Sequence, residues 1–303
     1  MDRIGFVGLG RMGKGMATNL QKKGFALTVF DIAEAPLLDL EKLGAKRAGS
    51  FAELVRNSDV ILTVLPSSVE VEAAVLGPDG ILANGRSGLL HMDLSTVDPL
   101  TTDKLSAALA AKGMSMIDSP IGRLASHAER GECLFMVGAS DADFARVKPL
   151  LQAMGTTIHH CGKVGHGIRT KLVNNYLSVV SCQMNAEVLT LSNAYGLDLE
   201  TTLDVIHGTS ATNGQLKLNF ATKVLVGDTE PGFSVDLAHK DLTLIVNSAN
   251  ANKVPLPIAA AARESLSMAR STPYHAKDFS ALLDFWCERA GLNKVRFKTQ
   301  SKA

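Results

Sequence analysis

The sequence predicts an α/β N-terminal domain with a parallel-rich sheet, followed by an all-α C-terminal domain that begins with a long helix. Up to about residue 160, short apolar runs such as RIGFVG and DVILTVLP alternate with amphipathic segments, which is the pattern of stacked βαβ units. After Gly165 the pattern becomes helical and starts with about 28 residues that contain no internal Gly or Pro. We therefore predict two domains, residues 1–163 and residues 164–303.

Each element follows from its own stretch of sequence. The apolar runs expected to form strands are residues 3–8, 26–31, 59–66, 88–95, 114–120, 133–138 and 156–160. The helices expected after the long helix are residues 199–208, 214–227, 236–252, 258–271 and 279–291. No internal repeat interrupts this order.

Composition excludes several classes of protein. The 31 basic residues against 30 acidic ones create no net field that would attract nucleic acid or an anionic membrane. Cysteines stand at Cys133, Cys161, Cys182 and Cys287, without the spacing of a disulfide framework or a metal site. The first strand begins too early for a signal peptide to precede it, and no apolar run is long enough to span a membrane. We expect a cytoplasmic protein with no metal, nucleic-acid or membrane partner.

A glycine-rich turn follows the first predicted strand. The stretch GFVGLGRMGKG places Gly8, Gly10 and Gly13 in a G-x-G-x-x-G pattern between a strand and an amphipathic helix. These glycines permit a tight turn, close approach of a pyrophosphate, and close packing of the helix on the strand, with the phosphates at the helix N-terminus. The pattern predicts a Rossmann-type dinucleotide site. The other residues of the turn, which we include in the site, are Leu9, Arg11 and Met12.

The second predicted strand ends in an acidic residue that indicates which dinucleotide is bound. Asp31 is positioned to accept hydrogen bonds from the ribose hydroxyls and would repel a 2′-phosphate, and the IAEAP stretch after it supplies no arginine. NAD is therefore expected rather than NADP. A different nucleotide, or a glycine turn with an acidic cap, remains the alternative. Further site residues are expected at the carboxyl ends of two later strands, at Leu65, Pro66, Ser95 and Thr96.

Polar residues form a stripe near the start of the long helix. They are Lys171, Asn174, Asn175 and Ser178, at positions i, i+3, i+4 and i+7 of one helix face. On spacing alone, a lysine that reaches water and an asparagine pair that bridges helices is the favoured interpretation. A catalytic lysine with two amides beside it is the other. The spacing does not decide between them.

Taken together, the motifs resemble the β-hydroxyacid dehydrogenase family, which includes 3-hydroxyisobutyrate dehydrogenase. The resemblance rests on GFVGLGRMGKGMATNL, GHGIRTKLVNN and HKDL at residues 239–242, in that order over nearly the whole chain. It implies that Lys171 is the catalytic lysine and that Asn175 orients it. It also implies that Lys240 closes over the nicotinamide and substrate from the second domain. Beside the nicotinamide, the resemblance places Ser95 and Thr96.

The implied chemistry suits a lysine. Reduction of an aldehyde by NADH builds negative charge on the carbonyl oxygen, and an ammonium group aimed at that oxygen stabilises it and donates the proton. A nucleotide-sensing module that keeps the fold without turnover is the non-enzyme alternative, but it has no use for a proton donor. The histidines near the expected site, at His127, His166 and His239, are expected to be structural hydrogen-bonding residues.

One turn departs from the family pattern. Most members read D-x-P-V-S-G-G-x-x-G-A where this chain reads DSPIGRLASHA, so that Gly122 replaces a serine and Arg123 replaces a glycine. A guanidinium with space around it favours a bulkier and permanently charged anion, such as a phosphonate, phosphate or sulfonate. An exposed loop arginine, or a structural partner for Asp118 or Glu129, is the alternative interpretation.

The same turn, with PLTTDKL at residues 99–105 and VDLAHKDL, is similar to the 3-sulfolactaldehyde reductases within that family. This resemblance implies NADH-dependent reduction of 3-sulfolactaldehyde to 2,3-dihydroxypropane-1-sulfonate, with the sulfonate bound by Arg123, Asn174 and Ser178. Another short aldehyde acid, such as succinic, tartronate or methylmalonate semialdehyde, is the alternative substrate, with Arg123 on its carboxylate. The apolar helical domain and the family both suggest a homodimer or homotetramer.

Overall fold

A computed structural model describes residues 2–298 and divides the chain into two compact units, Met1–Lys171 and Leu172–Ala303. The first unit alternates strands and helices. Its elements are β1 Ile4–Val7, α1 Gly13–Lys22, β2 Leu27–Phe30, α2 Glu34–Lys42, β3 Lys46–Arg47, α3 Phe51–Arg56, β4 Val60–Thr63, α4 Ser68–Leu76, α5 Ile81–Asn84, β5 Leu90–Asp93, α6 Pro99–Ala110, β6 Ser115–Asp118, β7 Ile121–Gly122, α7 Ala125–Glu129, β8 Cys133–Gly138, α8 Asp141–Met154 and β9 Gly155–Gly162. The long helix α9, His166–Ala194, follows and continues into the second unit.

The strands of the first unit form one sheet in the order β3-β2-β1-β4-β5-β6-β8-β7, with β9 paired to β8. Strands β1 to β6 pair in parallel, and β8 pairs in parallel with β9. The central strands β1, β4 and β5 are buried along their whole length, as a sheet covered by helices on both faces requires. The predicted Rossmann-type domain with a parallel-rich sheet is confirmed.

Two short strands and one reversal of direction were not expected. Strands β3 and β7 contain only two residues each, too few to show any periodicity. Strand β8 runs antiparallel to both β6 and β7. Because the direction of pairing is set by connections between distant segments, an apolar run such as CLFMVG predicts a strand without its orientation.

The second unit is helical in its described part, as predicted. After α9 its elements are α10 Leu199–His207, α11 Val235–Ala251, α12 Pro257–Arg270 and α13 Leu282–Arg289, with short 3₁₀ turns at Val224–Val226, Pro273–Ala276 and Phe279–Ala281. Buried residues from all of these helices form one apolar core, which includes Phe220, Leu242, Leu266 and Phe285. No helix among residues 2–298 is both long enough and apolar enough to cross a bilayer.

Residues 214–227 differ from the single regular helix expected there. The chain forms a π-helical segment, Gln215–Phe220, and then the 3₁₀ turn Val224–Val226. The Asn213 side-chain oxygen accepts a hydrogen bond from the Leu216 N–H at 3.0 Å, which satisfies an amide group at the start of the segment. Gly227 ends the segment in the left-handed region, with φ of 84°.

Candidate active site

The glycine-rich turn between β1 and α1 leaves space for a ligand where the sequence predicts one. Gly8 has φ of 90°, and a Cβ there would collide with the Val64 carbonyl. A Cβ on Gly13 would collide with the Gly8 carbonyl, so both positions require glycine for the protein's own packing. Gly10 differs, because a Cβ there would meet no atom within 4 Å. The space above Gly10 fits a pyrophosphate that approaches the backbone.

Asp31 lies next to this turn at the end of β2. Its carboxylate accepts hydrogen bonds from the Leu9 N–H at 2.5 Å and from the Ala33 N–H at 2.7 Å. Because Leu9 belongs to the glycine-rich turn, its hydrogen bond fixes the Asp31 carboxylate beside the expected phosphate site. Asp31 is only half-buried, and its oxygens have further acceptor capacity. Its contact with the ribose hydroxyls stays a prediction.

The loops after β4 and β5 are joined by a hydrogen bond between two predicted site residues. The Ser95 hydroxyl accepts from the Leu65 N–H at 2.9 Å, and the Ser95 N–H donates to the Asp93 carboxylate at 3.1 Å. Pro66 and Thr96 are the neighbouring residues in the same two loops. The structure therefore brings the two loops together at the carboxyl edge of the sheet, where this fold binds ligands.

Beneath these loops lies a buried polar network that the sequence reasoning missed. The Thr63 hydroxyl donates to Asp93 at 2.9 Å and lies 2.9 Å from His91 Nε2. Burial lowers the pKa of His91 to about 3, so its ring is neutral at physiological pH. The neutral ring donates from Nε2 to Thr63, which turns the hydroxyl proton toward Asp93. The only signal in the sequence was polar residues within otherwise apolar strands.

Asp118, at the end of β6, holds the start of α9. Its two carboxylate oxygens accept from the Gly165 N–H and the Ile168 N–H, each at 2.6 Å. These bonds satisfy amide groups that a helix start leaves without an intrahelical partner. Burial raises the pKa of Asp118 to about 6 although the backbone hydrogen bonds oppose the shift, so the carboxyl is mainly ionised at pH 7. Asp118 thus connects the DSPIGR turn to the helix that carries Lys171.

Gly167 brings α9 close to the sheet. A Cβ at this position would collide with the Met136 carbonyl and would lie 2.7 Å from the Asp118 carbonyl oxygen. Gly165, two residues earlier, has φ of 88°. The two glycines of the GHG sequence are therefore needed where α9 begins. They allow the first turn of α9 to pack closely against β6 and β8.

Lys171 is directed at the DSPIGR turn. The side chain is buried, with 9% of the residue exposed, and its Nζ donates to the Ile121 carbonyl at 2.7 Å. Donation of a proton to a substrate carbonyl oxygen by Lys171 stays a prediction. A lysine that only extends into water, which spacing alone favoured, does not fit this burial.

Two other members of the polar stripe, Asn174 and Asn175, lie in the second unit near Asp241. The Asn175 amide donates to Asp241 at 2.6 Å, and Lys240 Nζ lies 3.2 Å from the other carboxylate oxygen. Asn174 donates to the Asn175 side-chain oxygen at 3.1 Å. Asp241 is buried, and sequence reasoning did not single it out although it belongs to the HKDL motif. It connects Asn175 to Lys240 within this unit.

Ser178 and the histidines have partners within the protein. The Ser178 hydroxyl accepts from the Gln215 amide at 2.7 Å. The ring of His239 lies 2.9 Å from both Ser267 Oγ and an Arg270 nitrogen. Two further histidines contact backbone groups, His127 with the Leu124 N–H and His166 with the Cys161 carbonyl.

Arg123 occupies a strained position in the turn. Its φ of 73° is one that glycine adopts readily and other residues adopt at a cost of roughly 1–2 kcal/mol. The guanidinium donates to the Glu132 carbonyl at 2.6 Å and to the hydroxyls of Thr156 and Thr157 at 3.1 Å each. These hydrogen bonds use at most three of the five N–H donors of the guanidinium. Arg123 is exposed, as the alternative of a loop arginine expects, and its partners are neither Asp118 nor Glu129. Binding of an anion by Arg123 stays a prediction.

Comparison with known proteins assigns the chain to a family. Residues 3–162 match the family model described as the NAD binding domain of 6-phosphogluconate dehydrogenase. Residues 165–286 match the one described as NAD-binding of NADP-dependent 3-hydroxyisobutyrate dehydrogenase. The chain belongs to the 3-hydroxyisobutyrate dehydrogenase family. It is an NAD-dependent hydroxyacid dehydrogenase, as the motifs implied.

Several relatives cover nearly all of this dehydrogenase. A 3-sulfolactaldehyde reductase of Escherichia coli (strain K12) is 39% identical over 94% of this chain and 95% of its own. A 2-(hydroxymethyl)glutarate dehydrogenase of Eubacterium barkeri is 35% identical over 96% of this chain and 97% of its own. Among solved structures, the 3-hydroxyisobutyrate dehydrogenase of Mycobacterium tuberculosis with L-serine has a TM-score of 0.87 and 29% identity, and covers 94% of this chain and 99% of its own.

We expect the bonds from Asp118 to be needed for catalysis. In Asp118→Asn, only one oxygen remains to accept, so the NH₂ group faces either the Gly165 or the Ile168 N–H. One unsatisfied buried group costs about 1–3 kcal/mol, so kcat/KM should fall on the order of 10-fold as the first turn of α9 shifts. Steady-state kinetics of the aldehyde reduction measure the effect.

Asp103→Asn is the matched control for this prediction. Asp103 of α6 forms a salt bridge with Arg169 of α9 at 2.7 Å, but both side chains are nearly half exposed. An exposed ion pair contributes little to the free energy of unfolding, so the Asp103→Asn variant should keep wild-type kinetics. Equal effects of the two substitutions would contradict the assigned role of Asp118.

Proposed function

We propose that this dehydrogenase reduces 3-sulfolactaldehyde to 2,3-dihydroxypropane-1-sulfonate with NADH. The observation that carries the proposal is the position of Lys171 Nζ, 2.7 Å from the Ile121 carbonyl, on the same turn that presents Arg123 two residues later. A buried lysine that contacts the turn and a permanent cation within the turn suit a small aldehyde with an anionic group. The 39% identity to a 3-sulfolactaldehyde reductase supports the sulfonated member of that class.

In the proposed reaction Lys171 is the general acid. When bound, NADH supplies the hydride for the carbonyl carbon of the aldehyde. The Lys171 ammonium stabilises the negative charge that develops on the carbonyl oxygen and donates the proton that completes the alcohol. We propose that Asn175, which lies one helical turn after Lys171 and donates a hydrogen bond to Asp241, positions the lysine.

The fit of NAD to the chain rests on the open space above Gly10 and on Asp31 fixed beside it. Gly8, Leu9, Gly10, Arg11, Met12 and Gly13 would hold the phosphates, and Asp31 the ribose. Leu65, Pro66, Ser95 and Thr96 would line the nicotinamide end. Lys240 would contact both the cofactor and the substrate.

For the anionic group we propose Arg123, Asn174 and Ser178 as donors, with Gly122 providing the space. A sulfonate offers three tetrahedral oxygens and stays ionised at any physiological pH, whereas a carboxylate offers two oxygens in a plane. A guanidinium, an amide and a hydroxyl supply donors in three directions. The Ser178 hydroxyl already accepts from Gln215, which leaves its own proton to be donated.

A carboxylate semialdehyde is the second candidate substrate, and one observation favours it. Arg123 already donates to Glu132, Thr156 and Thr157, so a smaller anion held by the turn's backbone would not require the guanidinium to change partners. The 35% identity to a 2-(hydroxymethyl)glutarate dehydrogenase points to the same class.

Turnover with purified protein tests the proposed function. With 3-sulfolactaldehyde, NADH should be consumed and 2,3-dihydroxypropane-1-sulfonate should be detected by mass spectrometry.

NADPH should be the poorer cofactor because Asp31 repels its 2′-phosphate, and Asp31→Ala should narrow the difference in kcat/KM between the two cofactors. Wild-type protein that uses both cofactors equally would contradict the role of Asp31. Absence of the sulfonated alcohol with either cofactor would contradict the proposed function itself.

A further inference from the structure

A side chain on the helix after the glycine-rich turn reaches a distant segment of the chain. Asn19 lies on α1, about 9 Å along the helix axis from Gly13. Its amide donates to the Ala128 carbonyl at 2.8 Å and to the Glu129 carbonyl at 3.2 Å. It also donates to the Gly15 carbonyl of its own helix at 2.9 Å. Asn19 belongs to the GMATNL part of the family motif, and it joins α1 to a segment 109 residues away in the sequence.

The carbonyls that Asn19 contacts belong to the C-terminal end of α7. Helix α7 has only five residues, Ala125–Glu129, and the last carbonyls of any helix have no intrahelical partner. The Asn19 amide supplies hydrogen bonds to two of them from another helix. Ala128 is fully buried in the same apolar core as Met16 of α1, whereas the other residues of α7 are exposed or half-buried. Helix α7 therefore depends on α1 for its position.

Two glycines let the backbones of α1 and the α7 segment approach closely. A Cβ on Gly15 would lie 2.9 Å from both the Ala128 carbonyl carbon and the Glu129 nitrogen, closer than Cβ contacts allow. Gly131, which follows α7, has φ of 70°, and a Cβ there would lie 3.1 Å from the Asn19 side-chain oxygen. Because no flexible side chain separates the two backbones at Gly15, a shift of α1 displaces α7 as well.

The position of α7 sets that of Arg123. Only Leu124 separates Arg123 from the first residue of α7. The Arg123 guanidinium donates to the Glu132 carbonyl at 2.6 Å, and Glu132 follows α7 in the chain. This hydrogen bond closes residues 123–132 into a loop, and Asn19 holds that loop at α7. A change in the contact between α1 and α7 therefore moves both the backbone of Arg123 and an acceptor of its guanidinium.

Lys171 is held by different contacts. Its Nζ donates to the Ile121 carbonyl, and Ile121 pairs with Phe135 where β7 meets β8. The start of the helix that carries Lys171 is held by Asp118. None of these contacts involves α7, so loss of the Asn19 contact should leave Lys171 in place. The support of the proposed anion-binding group is thus separate from the support of the proposed proton donor.

We propose that Asn19 is a positioning residue, through which a dinucleotide bound at α1 fixes α7 and with it Arg123. The phosphates of the dinucleotide would lie at the N-terminus of α1 and restrain that helix. Since such coupling is reciprocal, NADH and an anionic substrate each strengthen the binding of the other. The substrate side of this inference rests on the proposed function, in which Arg123 binds the anionic group. The cofactor side rests only on NAD binding at the glycine-rich turn.

Hydrogen exchange followed by mass spectrometry tests the cofactor side without any substrate. The N–H groups of Ala128, Gly131 and Glu132 donate to carbonyls of residues 124–128, so their exchange requires this segment to open. In the wild type, saturating NADH should slow the exchange of residues 123–132 on the order of 5-fold or more. In Asn19→Leu, whose side chain is of similar size but has no donor, NADH should slow it less than about 2-fold.

Asn84→Leu is the matched control. The Asn84 amide also donates to two carbonyls of a nearby loop, those of Pro78 and Gly80 at 3.2 Å each, but this loop lies outside α1, α7 and the DSPIGR turn. NADH should protect residues 123–132 in this variant as it does in the wild type. Equal loss of protection in the Asn84 and Asn19 variants would contradict a specific role of Asn19.

Steady-state kinetics test the link from α7 to Arg123. Asn19→Leu should raise KM for 3-sulfolactaldehyde on the order of 10-fold and keep kcat within about 2-fold, because Lys171 stays in place. The kcat/KM for propionaldehyde, which has no anionic group, should not change. A residue that only stabilises the fold would affect both aldehydes alike. If the wild type does not reduce 3-sulfolactaldehyde, succinic semialdehyde is the anionic substrate, so failure of the proposed function leaves this test in force.

Gly15→Ala provides a second variant if Asn19→Leu fails to fold. Alanine favours the helical conformation more than glycine does, but its Cβ would push α7 away from α1. The variant should therefore show the same rise in KM and the same loss of protection by NADH. The proposal is overturned if NADH does not protect residues 123–132 in the wild type, if both variants keep that protection, or if charged and uncharged aldehydes are affected equally.

Discussion

Replacement of Lys171 by methionine is expected to lower kcat for aldehyde reduction on the order of 100-fold or more, with little change in NADH binding. Methionine keeps most of the buried aliphatic stem but has no proton to donate. The loss should therefore fall on the chemical step and not on the fold. Stopped-flow measurement of NADH oxidation in a single turnover separates this step from product release.

Two controls separate proton donation from structural support by Lys171. Lys112 is exposed, and its Nζ also lies within reach of a backbone carbonyl, that of Leu82 at 3.4 Å, so Lys112→Met should leave kcat unchanged. Lys171→Arg should restore little activity, because a guanidinium does not release its proton readily. Methylamine added to Lys171→Ala should restore part of the rate. A near-normal kcat in the methionine variant would refute the assignment.

The second large effect is expected at Arg123. The double variant Gly122→Ser/Arg123→Gly restores the common family turn and removes the guanidinium. If that group binds the sulfonate, a charge-assisted pair of roughly 2–5 kcal/mol is lost, and kcat/KM for 3-sulfolactaldehyde should fall on the order of 30-fold or more. Turnover of succinic semialdehyde should change far less. Glycine relieves the strained φ of 73°, so the variant should remain folded.

Thr157→Val is the matched control for this variant. It removes one of the bonds that hold the guanidinium but keeps the charge. An Arg123 that binds substrate should tolerate this change, whereas an Arg123 that only supports the turn should lose activity toward both aldehydes. Equal losses for the two substrates in the double variant would assign Arg123 a structural role. A Cβ at position 122 would lie 3.1 Å from the Leu134 side chain, so Gly122→Ser alone reports any steric contribution.

The fold was largely predictable because its signals are local. The alternation of apolar and amphipathic segments predicted the β1, β2, β4, β5, β6, β8 and β9 strands and the change to helices after Gly165. The two-residue strands β3 and β7 are too short to show a period. The π-helical segment Gln215–Phe220 was missed because apolar spacing does not distinguish π-helical from α-helical hydrogen bonding over six residues.

The candidate site was predictable only where a motif carried it. Gly8 and Gly13 have the tight packing that the G-x-G-x-x-G pattern predicts. Asp241 was not assigned a role, and Asp118 was considered only as a partner of Arg123. The importance of both lies in partners far away in the sequence, the Asn175 amide for Asp241 and the Gly165 N–H for Asp118. Tertiary hydrogen bonds of this kind leave no periodic signal.

The comparison of two aldehydes with the wild-type enzyme tests the proposed substrate most directly. The measurement is the ratio of kcat/KM for 3-sulfolactaldehyde to kcat/KM for succinic semialdehyde, with NADH and with both aldehydes present in competition. We expect a ratio on the order of 10 or more in favour of the sulfonated substrate, from the additional charge-assisted contact at Arg123. A ratio of one or less would contradict the sulfonate assignment and identify a carboxylate semialdehyde as the substrate.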